Sequence, residues 1–409
     1  MTVPDSNAVE VVPAPPFSEL TTLRVGGAPE HLVQPSTTDE LIEVARAVWA
    51  EGGDWLLIAG GSNTVVSDDG FEGTAIRIAT RGIEVLPSDG SRPGRVRLRV
   101  QAGEPWDGVV NLAVRHGWSG IESLSGIPGS AGAAPMQNIG AYGQEVADAL
   151  VAVDFLDYET GGVQRIAASA LGLGYRTSVL KRGLRGIVLS VELELDDANE
   201  PLGAPLSRPV EYAQLADSLG VPTGARVSLA ELRRTVLALR SSKGMLLDDS
   251  DPDSVSAGSF FTNPIVRENF ARSLPADAPR WPVEPEEPDL VVALGSEPPA
   301  PEELRLARED LDESASGGSP RVRGGLGSAE PYLVKLSAAW LIESAGIRKG
   351  FAIPGSRAAI SDKHTLALTN RGGATAAEIA QLATFVQSRV QSEFGLVLQP
   401  EPVLVGLEL

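Results

Sequence analysis

The sequence contains no cysteine, which excludes a disulfide framework, a thiolate zinc site, an iron–sulfur cluster and a cysteine nucleophile. Histidine is also scarce: His31, His116 and His364 lie far apart and form no close metal-ligand spacing. We therefore expect no bound metal. Redox chemistry in such a chain would require an organic cofactor.

Long apolar runs are missing as well. Met1–Glu10 carries acids and no apolar core of signal-peptide length, and no later stretch approaches the length that spans a bilayer. We therefore expect a cytoplasmic protein without membrane insertion.

Positive charge is in deficit, because 34 Lys and Arg residues stand against 54 Asp and Glu residues and give a formal net charge of -20. Such a balance repels polyanions, so nucleic acid is not an expected partner. An anionic small molecule would need a local cluster of Arg, Lys and backbone N–H donors.

The 409 residues exceed what one hydrophobic core usually spans, so we expect more than one domain. Thr37–Glu40 has the pattern of a capping box and predicts a helix through Val48. The apolar run Trp55–Ile58 predicts a strand that ends in the glycine turn Gly60–Asn63. These segments together predict an α/β unit.

Further strand-like runs predict a second, mostly β subdomain. They are Arg95–Val100, Ala149–Leu156 and Gly186–Leu195. Helical spacing of Leu229, Leu232, Val236 and Leu239 leads into a third domain, and Ala376–Phe394 predicts the final helix. We expect Leu396–Glu401 to form a strand that delivers one carboxylate.

Prolines alternate with acids between Glu284 and Glu330. Such a segment buries too little apolar surface to offset its ordering entropy, which favours a solvated, flexible insertion. A short exposed helix over Pro301–Glu313 is the alternative.

Neither a GxGxxG turn after a strand nor a GxxxxGK[ST] loop is present, so a Rossmann site and a P-loop are not indicated. Two other glycine-rich stretches, Gly60–Asn63 and Gly126–Gly143, would hold a backbone against a flat anionic ligand. The alternatives are an ordinary tight turn for the first and a long irregular loop for the second.

Two single residues have neighbours that suit chemistry. Arg176 follows a glycine turn and can bind a carboxylate or phosphate through two parallel hydrogen bonds. The equally weighted alternative is an ordinary arginine on a surface loop. Ser259 stands beside Phe260 and Phe261, which would keep its hydroxyl dry; the alternative is a strand entry with packed phenylalanines.

These stretches together resemble the UDP-N-acetylenolpyruvoylglucosamine reductase (MurB) family from about Leu20 to the C-terminus. The motifs in order are Leu23–Gly27, Ala59–Asn63, Gly126–Gly143, Tyr175-Arg176, Ala257–Pro264, Ala339–Glu343 and Gln399–Glu401. Glu211–Leu215 is similar to the tyrosine loop of the longer, type I branch. At Gly244–Val255 the chain departs from the family, with an acid-rich segment in place of a short one.

The resemblance implies an α+β protein: an FAD-binding fold of the vanillyl-alcohol-oxidase (PCMH) type, with two α/β subdomains, and a C-terminal α+β substrate-binding domain. We predict the FAD-binding subdomains at 18–79 and 80–240 and the substrate domain at 241–409. The insertion 284–330 falls inside the last, and the final segment 396–409 is expected to pack back on the FAD-binding part.

The resemblance also implies FAD and NADPH as cofactors and an enolpyruvyl ether of a UDP-sugar as substrate, reduced by a hydride from flavin N5 in peptidoglycan precursor synthesis. Catalysis would fall to Arg176 at the enolpyruvyl carboxylate, Ser259 as proton donor and Glu401 as a second polar partner. Substrate would contact Tyr175, Tyr212, Lys243 and Asn263. FAD would contact Gly60, Gly61, Ser62, Asn63, Gly129, Ser130, Gln137, Asn138 and Gly140.

Two other functions stay open at this point. An alcohol or sugar oxidase of the same fold would keep the glycine loops but would need no serine acid. A nucleotide-sugar sensor would bind without turnover.

Overall fold

The computed structural model describes residues 14–87, 92–199, 203–283 and 332–409. The predicted insertion 284–330, with its alternative helix at Pro301–Glu313, lies outside these residues. The chain divides into two compact units, one formed by Met1–Thr262 with Ala338–Leu409 and the other by Asn263–Ser337. The three predicted domain boundaries remain predictions.

Helices and strands alternate irregularly along the chain. The described helices are α1 Phe17–Leu20, α2 Thr38–Glu51, α3 Trp106–Arg115, α4 Ala213–Leu219, α5 Leu229–Ser242, α6 Glu268–Ser273, α7 Ala338–Ser344 and α8 Ala376–Phe394. The first nine strands are β1 Pro29–Val33, β2 Trp55–Ile58, β3 Thr64–Val66, β4 Phe71–Arg77, β5 Ile83–Leu86, β6 Arg95–Gln101, β7 Trp118–Ser119, β8 Gly140–Ala141 and β9 Gln144–Glu145. The others are β10 Leu150–Asp157, β11 Val163–Ala167, β12 Gly186–Asp197, β13 Ile265–Arg267, β14 Arg280–Val283, β15 Leu333–Leu336, β16 Ala358–Ile360, β17 Leu368–Asn370 and β18 Val403–Val405.

A parallel sheet of order β1–β4–β2 forms the N-terminal layer, and it ends at the first glycine turn. Helix α2 packs against it through Leu41, Ala45 and Val48, which confirms the predicted helix and the predicted strand at Trp55–Ile58. The Thr37 side chain caps the helix by accepting from Glu40 N. The Glu40 carboxylate accepts from Ser36 N and Oγ, which lie just before the helix.

The second layer is a six-stranded antiparallel sheet of order β11–β10–β12–β6–β5, with β7 joined to β12. Its strands at 95–101, 150–157 and 186–197 confirm the three predicted strand-like runs. The core beneath it centres on Trp106 of α3, which is fully buried among Leu, Val and Ile side chains.

The chain returns to the N-terminal part at its end. Helix α8 confirms the predicted final helix, and its Thr375–Glu378 capping box is complete. The predicted strand at Leu396–Glu401 is wrong: this segment is irregular, with one isolated bridge between Pro400 and Phe261. The strand begins at Val403 and pairs in parallel with β3.

The second unit, Asn263–Ser337, contains a three-stranded antiparallel sheet of order β13–β15–β14 and the short helix α6. Among the described residues of the whole chain, no helix is long and apolar enough to cross a membrane.

Candidate active site

A cavity of about 330 Å³ lies within the first unit and is lined by both glycine-rich stretches. Three side chains predicted for catalysis, those of Arg176, Ser259 and Glu401, line this cavity together. Eight predicted cofactor residues also line it: Gly60, Gly61, Ser62, Asn63, Gly129, Ser130, Gln137 and Gly140. Sequence motifs more than 300 residues apart thus meet in one site.

The two glycine loops approach each other too closely for side chains. A Cβ added at Gly60 would lie 2.7 Å from the Gly129 Cα. Gly129 itself has φ +113°, and a Cβ there would lie 2.9 Å from Ser62 Oγ. Glycine is required at both positions, and bare backbone faces the cavity, as a flat anionic ligand needs.

Ser130, on the second loop, supplies a polar atom without a partner. Its Oγ is buried and makes no hydrogen bond to any residue that the structure describes. A buried hydroxyl without a partner costs free energy, on the order of 1–3 kcal/mol. Beside a cavity, such a group indicates a ligand that completes the hydrogen bond.

A polar network crosses the cavity floor and joins Arg176, Glu401, Gln137 and Lys181. Arg176 Nε lies 3.2 Å from Glu401 Oε1, to which Gln137 Nε2 also donates at 3.0 Å. Lys181 Nζ donates to Gln137 Oε1 at 3.3 Å. Burial raises the pKa of Glu401, and the charges of Arg176 and Lys181 oppose that rise.

Glu401 is held in place by its own backbone. Its N–H donates to the Phe260 carbonyl at 2.9 Å, and its carbonyl accepts from Asn63 Nδ2 at 3.2 Å. These bonds tie the C-terminal segment to the Ser259 loop on one side and to the first glycine loop on the other. The Glu401 carboxylate is therefore positioned by an irregular segment with a single bridge, and not by the predicted strand.

Arg176 has a left-handed backbone with φ +55°. Asn138 and Tyr142 share this conformation, so three of the four non-glycine residues with positive φ in the described chain belong to this region. Arg176 also donates to the carbonyls of Gly140 at 3.1 Å and Asn138 at 3.5 Å. Strained backbone concentrated at one site is typical of functional loops.

Ser259 lies on a loop, and its Oγ is 3.4 Å from His364 Nε2. The adjacent Phe260 and Phe261 are each 1% exposed and pack edge to face at 5.3 Å. They are core residues and do not line the cavity, so they do not shield the hydroxyl directly as predicted. Apolar lining comes instead from other residues, which include Ile127, Leu180, Met245 and Leu247.

Two residues predicted to bind substrate form a separate cluster. Lys243 Nζ lies 5.5 Å from the Tyr142 ring, which meets the Tyr212 ring edge to face at 5.7 Å. Lys243 also donates to Gln214 Oε1 at 3.0 Å, and burial together with the Arg240 charge lowers its pKa. Neither Lys243 nor Tyr212 lines the cavity, but Gly244, next to Lys243, does.

Three other predicted residues lie apart from the cavity lining. Asn138 is 1% exposed and gives both amide hydrogens to Glu145 and Gly174, so its side chain organises the loop. The Tyr175 ring lies 5.6 Å from the Arg176 guanidinium carbon. Asn263 belongs to the second unit.

Sequence reasoning missed Lys181, His364 and Arg240. Arg240 lines the cavity, is 8% exposed, and donates to the Gly126 and Met245 carbonyls at 3.1 Å each. Lys181 could have been found from its place five residues after Arg176. No group of three His, Asp or Glu side chains within the described ranges is arranged to hold a metal ion.

Comparison with known proteins assigns this chain to a family. The sequence model of an FAD-binding domain matches residues 29–167, and that of the UDP-N-acetylenolpyruvoylglucosamine reductase C-terminal domain matches residues 251–405. The UDP-N-acetylenolpyruvoylglucosamine reductase of Leifsonia xyli is 62% identical over 397 residues, covering 97% of this chain and 99% of that protein. The chain belongs to the UDP-N-acetylenolpyruvoylglucosamine reductase family.

More distant members of the family also match this chain over nearly its whole length. The enzyme of this name from Saccharopolyspora erythraea is 45% identical over 389 residues, covering 95% of this chain and 94% of that protein. The crystal structure of UDP-N-acetylenolpyruvylglucosamine reductase (MurB) from Thermus caldophilus covers 95% of this chain and 97% of its own, with a TM-score of 0.56 at 24% identity. The predicted fold class, an α+β protein with an FAD-binding domain of the vanillyl-alcohol-oxidase (PCMH) type, is confirmed.

Proposed function

We propose that this reductase uses NADPH and FAD to reduce the enolpyruvyl group of UDP-N-acetylglucosamine-enolpyruvate to UDP-N-acetylmuramate, a precursor of peptidoglycan. The observation that carries the proposal is that Arg176, Ser259 and Glu401 line one cavity together with both glycine loops. The required groups are a guanidinium, a hydroxyl and a backbone cradle, and all three are present.

The residues of the cavity fit FAD. The Gly60 and Gly129 backbones offer a surface without side chains, and the unpartnered Ser130 hydroxyl lies on the same loop as Gly129. Ser62, Asn63, Gln137 and Gly140 would add polar contacts. The chemistry that FAD supplies when bound is the transfer of reducing equivalents from NADPH to the vinyl carbon of the substrate.

Arg176 would bind the enolpyruvyl carboxylate. A guanidinium has five N–H donors, and three of those on Arg176 point at Glu401, Gly140 and Asn138, which leaves two for a ligand. Negative charge spreads onto the carboxylate when the vinyl carbon is reduced. A preorganised donor aimed at such charge lowers the barrier by roughly 3–4 kcal/mol.

Glu401 would orient that guanidinium and contact the reacting group. Its carboxylate accepts from Arg176 Nε and Gln137 Nε2, so the Arg176 side chain is fixed before substrate arrives. Preorganisation of this kind avoids an ordering cost in the transition state.

Ser259 would give its proton to the carbon next to the carboxylate. A serine hydroxyl is a weak acid in water, so donation must follow the development of strong carbanion character. The apolar cavity wall, including Leu180 and Met245, would limit competition from water at this step.

Tyr212, Lys243 and Tyr175 would hold the nucleotide-sugar part of the substrate, and the predicted role of Asn263 stays a prediction. Lys243 would have to exchange its bond with Gln214 for one to the diphosphate. The half-buried ammonium beside Tyr142 provides local positive charge within an acidic protein.

Anaerobic absorbance spectra of the purified protein test the proposal. Addition of NADPH should bleach the flavin bands, and the enolpyruvyl nucleotide should restore them with formation of UDP-N-acetylmuramate. A colourless protein, or a reduced flavin that this substrate does not reoxidise, would refute the proposal.

A further inference from the structure

His364 contacts the proposed proton donor without lining the cavity. Its Nε2 lies 3.4 Å from Ser259 Oγ, while only Ser259 of the pair faces the cavity. It lies in the turn between β16 and β17, and the backbone N–H of His364 donates to Ser361 Oγ at 3.2 Å. Phe260 N donates to the Leu366 carbonyl at 2.7 Å, so the turn and the Ser259 loop are fixed to each other.

Ser259 has a single hydroxyl proton, so the direction of this hydrogen bond decides whether that proton can point into the cavity. A hydroxyl has one donor and two acceptor lone pairs. If Ser259 donated to His364, its proton would point away from the substrate carbon. The proton is available to the cavity only when the imidazole is the donor.

We propose that His364 is a positioning residue whose neutral imidazole, protonated at Nε2, donates a hydrogen bond to Ser259 Oγ and leaves the hydroxyl proton directed into the cavity. This inference rests on the proposed function. During the step the Oγ–H bond breaks and a C–H bond forms from the electron pair of the enolate. The negative charge that passes to Oγ is stabilised by the Nε2–H, and water returns a proton to Oγ after the step.

The surroundings keep this imidazole neutral. Burial, with the charges of Lys243 and Lys349, lowers the pKa of His364 to about 4. Near neutral pH the ring therefore carries one proton, and its location at Nε2 or Nδ1 determines whether it serves as donor or acceptor to Ser259.

Nitrogen-15 NMR of the histidine side chains tests the geometry without any substrate. The chain has three histidines, so His364 is assigned from the spectrum of His364→Gln. At pH 7.5 we expect His364 to be protonated at Nε2, with a signal that moves in Ser259→Ala. Protonation at Nδ1, or a signal insensitive to that substitution, would overturn the inference whatever reaction the enzyme catalyses.

Half-reaction kinetics test the role. His364→Phe should slow reoxidation of the reduced flavin by substrate at least tenfold and leave reduction by NADPH unchanged. His364→Gln, whose amide can donate from a similar position, should recover most of the loss. His116→Phe, at an exposed histidine stacked on Trp118, is the matched control and should match wild type.

A double variant separates positioning from general structural damage. Because His364 acts through the Ser259 hydroxyl, His364→Phe should cause no further loss in a Ser259→Ala background. Additive losses, or equal losses in both half-reactions, would overturn the role of His364 while leaving the proposed function intact. If substrate fails to reoxidise even the wild-type flavin, the proposed function and this role both fall, and the NMR result alone decides the hydrogen bond.

Discussion

Arg176 shows how much the site depends on individual residues held in costly conformations. Its left-handed backbone and its bonds to Glu401, Gly140 and Asn138 aim one guanidinium at the cavity. A non-glycine residue in a rare backbone region costs on the order of 1–3 kcal/mol, which neighbouring contacts must offset. The glycine turn and the arginine were visible in the sequence, but the φ of Arg176 and its Glu401 partner were not.

Arg176→Lys should retain charge but lose the planar set of donors. We expect reoxidation of the reduced flavin by substrate to fall about 100- to 1000-fold, since one oriented donor is worth roughly 3–4 kcal/mol. Reduction by NADPH should change little. Stopped-flow absorbance measures both steps, and a lysine variant as fast as wild type would remove Arg176 from the mechanism.

Ser259→Ala should leave reduction by NADPH nearly intact and slow the substrate half-reaction by orders of magnitude, because only the second step needs a proton at carbon. Ser388→Ala, at an exposed serine on α8, is the control. Equal losses in the two half-reactions of Ser259→Ala would argue against the acid role.

The lowered pKa of His364 predicts that the stability of the protein depends on pH. Its pKa of about 4 lies below the 6.5 of an unperturbed histidine, so the unfolded chain binds the extra proton first as pH falls. The wild type should therefore lose stability between about pH 6.5 and 4, by as much as about 3 kcal/mol. Comparison of Tm with His364→Gln at pH 7.5 and 4.5 checks this: the variant should lose less on acidification, and parallel losses would contradict it.

At the scale of elements, local patterns predicted the regular segments and failed where long-range contacts decide. Thr37 marked one helix start correctly, since capping depends on neighbouring residues alone. Leu396–Glu401 has the composition of a strand, yet no neighbouring strand pairs with it along its length. The pairing of β18 with β3 begins only after Glu401.

The close approach of the two glycine loops predicts an effect of Gly60 substitution on FAD binding. Gly60→Ala would place a methyl group 2.7 Å from the Gly129 Cα and should push the loops apart, with a marked loss of bound FAD. Gly53→Ala is the matched control, because nothing lies within 4 Å of an added Cβ there. The flavin-to-protein absorbance ratio after gel filtration measures the effect, and equal FAD content in the two variants would contradict it.

At the scale of the whole molecule, the site is assembled from segments that lie far apart in the chain. Glu401 and Val403 bond to Asn63, across more than 300 residues of sequence. The resemblance to a known family predicted which motifs would meet, but spacing and periodicity could not. Lys181, Arg240 and His364 escaped notice because their burial and partners depend on this assembly.

The C-terminal strand should therefore be needed for the first glycine loop. A chain that ends at Glu401 loses β18 and the Val403 N–H bond to the Asn63 carbonyl at 2.9 Å. We expect weaker FAD binding and slower reoxidation by substrate. A chain that ends at Gly406 keeps the strand and should behave as wild type; equal behaviour of the two truncations would show that β18 is dispensable.

The central claim is that a guanidinium and a hydroxyl act on one enolpyruvyl group in a cavity that would also hold FAD. A crystal structure of the protein with FAD and the enolpyruvyl nucleotide tests it most directly. We predict FAD in the cavity that both glycine loops line, with Arg176 at the substrate carboxylate and Ser259 Oγ within hydrogen-bonding distance of the adjacent carbon. A substrate that contacts only one of the two side chains, or neither, would contradict the account.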